Sequence, residues 1–178
     1  MVEKGRGARR LSTSAALAVG LLGLAGCATA VPGTGGADVS QVASYKSAVA
    51  AKAAAQVKAA CADWDAGVTT RRTASKATAA YTKNPTWTWP GIMPLVRSEL
   101  TAVENESRTV PSLITRATSD PEVVSSLRDY QTKLDAYSSA LRADSNAKGS
   151  GASTWPTANT ARDKLLLSQI AVEAACKS

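Results

Sequence analysis

The sequence predicts an all-α protein, most simply an up-down bundle of about four principal helices, and three observations carry that reading. Apolar residues recur at spacings of three and four in four separate stretches. No segment shows sustained alternation of apolar and polar residues, and no Asn-Gly-type turn joins two β-branched runs, so a sheet has no sequence support. Leu, Ile and Val make up only 24 of the 152 residues from Cys27 on, so the helices must approach closely through alanine and gain area from four tryptophans and four tyrosines.

Residues 1–26 read as a leader. Lys4, Arg6, Arg9 and Arg10 precede a twelve-residue uncharged, mostly apolar stretch, Ala15–Gly26. That stretch is too short to span a bilayer core, which needs about 20 residues, and suits a signal-peptide h-region. It ends in Leu24-Ala25-Gly26-Cys27, which resembles the lipobox of bacterial lipoproteins. The resemblance implies cleavage between Gly26 and Cys27, a diacylglyceryl group on the Cys27 thiol, and anchorage at the extracytoplasmic face of the cell membrane. Small residues at 25 and 26 would let the peptidase reach the backbone. Two fatty chains hold a protein stably where one holds it only marginally. The competing reading is an ordinary secretory signal cut near Ala28-Thr29-Ala30. Arg9-Arg10 is similar to a twin-arginine signal, but Leu11-Ser12-Thr13 lacks the apolar pair that normally follows, so both export routes stay open. Alanine, 35 of 178 residues, suits a high-GC actinobacterium. The resemblance covers some 27 residues and is silent on the mature domain.

Residues 27–39 form a tether of small and turn-forming residues. Gly33, Gly35 and Gly36 do not make a phosphate loop, because no strand precedes them and no Lys-Ser/Thr follows. The domain proper covers 40–178. Ser40 is the expected N-cap of a long first helix carrying Val42, Tyr45, Val49, Val57, Ala60, Trp64 and Val68, and running through Gly67 towards Tyr81. Asn84-Pro85 should end it. A loop with Pro85, Trp87, Trp89, Pro90, Gly91 and Pro94 follows, then a second helix marked by Val96, Leu100, Val103, Val110 and Ile114, its rhythm broken at Ser107 and kinked or restarted at Pro111. Asp120-Pro121-Glu122 starts a third helix, with Leu127, Tyr130, Leu134, Tyr137 and Leu141 as its seam. Lys148–Ser153 is a loop. The last helix runs from about Thr157 to Cys176, with Leu165, Leu166, Ile170 and Val172 available for burial.

With Cys27 lipidated and the chain exported, Cys61 in the first helix and Cys176 at the end of the last remain as a pair in an oxidising compartment, and one disulfide between them should close the bundle. The competing reading, a reactive thiol, lacks a neighbouring histidine and a C-x-x-C spacing.

The chain has no histidine, which removes Ser-His-Asp and Cys-His hydrolysis, His-rich zinc sites and the Glu-x-x-His di-iron bundle. No cofactor or metal site is expected. The net charge of +7 falls to +4 from Cys27 on, with no like-charge run longer than Arg71-Arg72, so nucleic acid is not an expected partner. Ser145-Asn146-Ala147-Lys148 matches the Ser-x-x-Lys of penicillin-binding proteins and β-lactamases, but with 19 serines and 10 lysines chance supplies such a pair, and the companion motifs are missing. Glu99, Glu104 and Glu106, at spacings of five and two, are not expected on one helical face and read as solvated rather than as a glycosidase pair or a calcium site. Trp87, Trp89 and Trp155 each lie near a proline in a loop at a bundle end. There they either plug the core or offer indoles to a sugar or a partner protein.

The reading that results is a non-catalytic binding or scaffolding module attached to the membrane through the lipid on Cys27. It would contact another envelope protein or a cell-wall glycan through the tryptophan loops. The rivals are a cell-wall-acting enzyme using carboxylates such as Glu99, Glu104, Glu106 and Asp120, and a small inhibitor or immunity lipoprotein.

Overall fold

The computed structural model describes residues 38–151 and 154–178. Gly26, Cys27, the leader and nearly all of the tether lie outside them. The described residues group as one compact unit. Among the described residues there are four helices and no strand: α1, Val39–Thr82; α2, Trp89–Arg116; α3, Pro121–Ala147; and α4, Pro156–Ala175. No helix among them is long and apolar enough to cross a membrane.

The four lengths are unequal, and that shapes the molecule. α1 has 44 residues, about 66 Å at 1.5 Å per residue, against 28, 27 and 20 for the others. The apolar stripe of α1 is buried at Ala60, Trp64 and Val68, but Val42, Tyr45 and Val49, on the same stripe, are exposed because α1 outruns its partners there. The N-cap of α1 is Asp38 rather than Ser40. Its carboxylate accepts from Ser40 N at 2.9 Å, an oxygen that a serine two residues later cannot place there.

α2 begins inside the stretch expected as loop. Thr88 caps it by accepting from Gly91 N, and Pro90 sits in the first turn, where a missing N–H costs nothing. The helix passes Pro94 and Pro111 without ending. Its buried stripe is Ile92, Val96, Glu99, Val103, Glu106, Val110 and Leu113, so the rhythm is completed by two glutamates, while Leu100 and Ile114 are only half-buried. Asp120 caps α3 as expected, accepting from Glu122 N and Val123 N at 3.1 Å each. α4 has no side-chain cap of its own. Asp144 of α3 supplies it, accepting from Thr157 N at 3.0 Å and Ala158 N at 2.8 Å. On α4, Leu165 and Val172 are buried, but Leu166 and Ile170 face outward, Ile170 being 60% exposed.

Consecutive helices pack against one another, α1 on α2, α2 on α3 and α3 on α4, in the up-down order. The Cys61–Cys176 disulfide, with Cα atoms 5.9 Å apart, ties the middle of α1 to the end of α4 and closes the bundle.

Candidate functional site

The three loop tryptophans meet at one end of the bundle. Asn84 shapes the α1–α2 turn by accepting from Thr86 N at 3.0 Å through its side chain and from Trp87 N at 3.1 Å through its carbonyl. Trp87 therefore arrives beside Trp89, the first residue of α2, with ring centroids 5.2 Å apart and planes at 77°. Trp89 in turn meets Trp155, at the start of α4, at 5.2 Å and 62°. Edge-to-face contacts of this kind are favourable beyond their burial. Trp89 Nε1 donates to the carbonyl of Gly149 at 3.3 Å, which links the two loops. All three rings are half-buried and rest on the core. Because α1 runs towards this end, the cluster lies opposite the α1 N-terminus.

Beneath Trp155 a cleft of about 200 Å³ opens between α1 and α4. Ser75, Thr78 and Thr82 of α1 form one wall and Trp155, Asn159 and Arg162 of α4 the other, with Glu99 and Tyr137 contributed by α2 and α3. Glu99 is 1% exposed. The Tyr137 hydroxyl donates to its Oε1. Burial first, and then the charge of Glu99, push the Tyr137 hydroxyl far above its ordinary titration range, so it holds its proton and acts as a donor. Among the described residues Arg162 is ion-paired only with Asp163, at 3.8 Å.

Two helical turns further down, a second polar layer is closed on itself. Arg71 of α1, 2% exposed, donates from Nε to Glu106 Oε2 at 2.8 Å, and its terminal nitrogen Nη2 donates to Tyr130 Oη at 3.2 Å and Gln169 Oε1 at 3.1 Å. The Tyr130 hydroxyl donates to Glu106 Oε1, and Gln169 Nε2 donates to Glu173 at 2.8 Å. Tyr130 also meets the edge of Trp64, the rings 5.6 Å apart. Burial pulls the Arg71 guanidinium down, but Tyr130 and Glu106 more than restore it. Burial pushes the Glu106 carboxyl up, and Arg71 and the Tyr130 hydroxyl recover only part of that rise. Gly67 makes room for this layer, since a Cβ there would stand 3.3 Å from Glu106 Cγ.

The two layers are in register. Arg71 and Thr78, Glu106 and Glu99, Tyr130 and Tyr137, and Gln169 and Arg162 are each seven residues apart on their helices. Seven residues is nearly two turns, so each pair shares a face.

Glu99 and Glu106 are thus buried and not solvated as expected, because they stand seven apart. Glu104, between them, faces outward and pairs with Arg142. Asp120 is a helix cap. Ser145 donates to the carbonyl of Arg142 at 2.9 Å within its own helix, and Lys148 is the left-handed residue that ends α3. Cys61 and Cys176 are joined and offer no thiol. Sequence reasoning missed Arg71, Asn159, Arg162 and Gln169. The sevenfold pairing of polar residues was the available signal for three of them. No group of three or more Asp, Glu, Cys or His side chains among the described residues is arranged to hold a metal ion. No protein-family model, curated protein or solved structure matches the chain.

Proposed function

We propose that this is an exported, lipid-anchored envelope protein that binds rather than catalyses. Cys27 carries the lipid at the outer face of the membrane, and the tryptophan end meets a cell-wall glycan or another envelope protein. The observation that carries the reading is the contact of Trp87, Trp89 and Trp155, from two separate loops, at the end of the bundle opposite the point where the chain from Cys27 enters. Aromatic clusters of this kind suit sugar faces and the apolar side chains of partners.

The enzyme reading is less favoured on geometry. Glu99 and Glu106 stand seven residues apart on α2, about 10.5 Å along its axis, each buried in its own polar layer. Each is also engaged by a tyrosine hydroxyl.

Intact-mass measurement of protein purified from membranes tests the anchor. A mass beginning at Cys27 with acyl chains supports it, and a lipid-free mass beginning elsewhere removes it. Co-sedimentation with purified cell wall, together with pull-down from envelope extracts, tests the binding surface. Trp87→Ala should weaken capture by either partner without unfolding the protein. Release of soluble wall fragments, abolished by Glu99→Gln, would replace this reading with the enzymatic one.

A further inference from the structure

We propose that the cleft beneath Trp155 takes a small amino-acid-like zwitterion, its ammonium group on Glu99 and its carboxylate towards Arg162. The inference deepens the binding reading above and rests on it only in treating this end of the bundle as ligand-facing.

The lower polar layer serves as an internal standard. There a buried glutamate, Glu106, receives a tyrosine hydroxyl and the guanidinium of Arg71, which projects from α1 into the bundle. The upper layer repeats the glutamate and the tyrosine as Glu99 and Tyr137, but the α1 position equivalent to Arg71 is Thr78. The Thr78 hydroxyl donates back to Ala74 O of its own helix at 3.4 Å and does not reach across. Among the described residues no basic group is ion-paired with Glu99. The place that a guanidinium fills in the lower layer is open cleft in the upper one, lined by Thr78, Glu99 and Tyr137.

A carboxylate removed from water is costly unless a cation and hydrogen-bond donors compensate it. Tyr137 is one donor, and among the described residues no cation lies within ion-pair distance of Glu99, Arg162 across the cleft being the nearest candidate to act on this pair. An ammonium group fits the gap, because its three N–H groups can meet Glu99 and the hydroxyls of the α1 wall. Arg162 then decides the rest of the ligand. Arg162 lines the same cleft, with its side chain 40% exposed and, among the described residues, only Asp163 as an ion-pair partner, at 3.8 Å. It repels a bare cation and attracts a carboxylate, for which its donor fork is suited. The charges of Glu99 and Arg162 together complement a zwitterion, and the Trp155 ring offers an apolar wall to its side chain. A free amino acid and a peptide segment carrying both a free amine and a carboxylate share this chemistry.

Isothermal titration of the mature protein with L-alanine, D-alanine, L-lysine and glycyl-glycine, alongside ethylamine and acetate, tests the proposal. At least one zwitterion should bind in the millimolar range or tighter, with both single-charge probes at least tenfold weaker. Tighter binding of the dipeptide than of the amino acids assigns the ligand to a peptide source, and the reverse order to a free amino acid. Glu99→Gln should abolish binding while keeping the far-ultraviolet circular dichroism and thermal midpoint of the parent, and Arg162→Gln should weaken it tenfold or more. No heat with any zwitterion, equal binding of ethylamine, or binding that survives Glu99→Gln overturns the proposal. Trp87→Ala separates the two readings. It should lose wall capture and keep zwitterion binding, so a failure of the wall reading leaves this titration interpretable, and the converse holds for Glu99→Gln.

Discussion

Arg71 and Glu106 form an ion pair across the α1–α2 interface, Nε to Oε2 at 2.8 Å, with neither side chain more than 3% exposed. A buried pair of this kind makes a small net contribution compared with a well-packed apolar substitute, yet losing one partner strands the other charge. Arg71→Met and Glu106→Leu should therefore each cost roughly 3–5 kcal/mol. The double variant should cost much less than their sum, because it leaves no stranded charge and only the Tyr130 hydroxyl and Gln169 Oε1 without these partners, a loss of about 1–3 kcal/mol each. Urea denaturation of the four proteins measures the coupling directly. Additive losses would mean that the two side chains act independently.

The same carboxyl gives a pH dependence with a definite sign. Burial raises the Glu106 carboxyl above its ordinary value of 4.5, with Arg71 and Tyr130 only partly offsetting it. The folded chain therefore holds this proton more tightly than the unfolded chain does. The stabilisation is complete below 4.5 and is lost as pH rises through the raised native value. Relative to Glu106→Gln, which cannot titrate, the parent should lose stability over that window and run parallel to the variant on either side of it. Urea midpoints across mildly acidic pH check this. A parent that gains on the variant as pH rises would mean that the Arg71 charge outweighs burial.

The bundle was legible because its punctuation is local. Asp120-Pro121-Glu122 caps a helix wherever it occurs, and the Leu127–Leu141 seam is a two-turn repeat that needs no partner to be read. The disulfide was legible by elimination, since lipidation of Cys27 would leave one pair. The polar interior was not. Arg71 sits beside Arg72 as an ordinary basic doublet, and nothing local separates the buried arginine from the exposed one. Glu99 and Glu106 were compared with Glu104 between them, which hid their own spacing of seven. Tyr130 and Tyr137 were correctly placed in the seam, and a buried tyrosine hydroxyl needs a partner. That requirement was a second route from sequence to the two glutamates. The overhang of α1 was hidden for a different reason: periodicity gives the face of a helix but not how far its neighbours extend.

Removal of the disulfide should be felt across the whole bundle. Cys61 and Cys176 are 115 residues apart, and α1 and α4 share no extended packing that would replace the bond. Closing a loop of that length stabilises a chain by about 5 kcal/mol in the chain-entropy model, with typical measured losses of about 2–5 kcal/mol. The Cys61→Ser/Cys176→Ser variant should lose stability in that range, and the parent in reductant should match it. A parent unchanged by reductant would mean that the helix interfaces alone hold α4 in place.

Gly91, in the first turn of α2, is required by a close approach. A Cβ at this position would fall 1.9 Å from Tyr81 Oη and 2.9 Å from its Cζ. Gly91→Ala must displace the ring that packs the end of α1 against the core, at a cost of about 1–3 kcal/mol. Adding Tyr81→Phe removes the nearer clash and leaves the second, so it should recover part of the loss. Full recovery, or no loss in the single variant, would place the strain elsewhere.

Lys148 ends α3 in the left-handed region, at φ 50° and ψ 44°, with its N–H on the carbonyl of Asp144 at 3.1 Å. A side chain there is strained by its Cβ, which glycine lacks, and glycine is the residue that most often ends helices in this way. Lys148→Gly should gain about 1 kcal/mol, and Lys148→Ala should gain nothing, because it keeps the Cβ. The next residue links this turn to the tryptophan end, since the Gly149 carbonyl accepts from Trp89 Nε1. Lys148→Val, β-branched and poorly suited to positive φ, should therefore lower stability and shift the tryptophan emission to the red as that hydrogen bond is lost. Lys148→Gly should leave the emission where it is. Thermal melts followed by fluorescence read both effects in one experiment, and equal stabilities for Gly, Ala and Val at this position would show that the turn is not held in the left-handed region in solution.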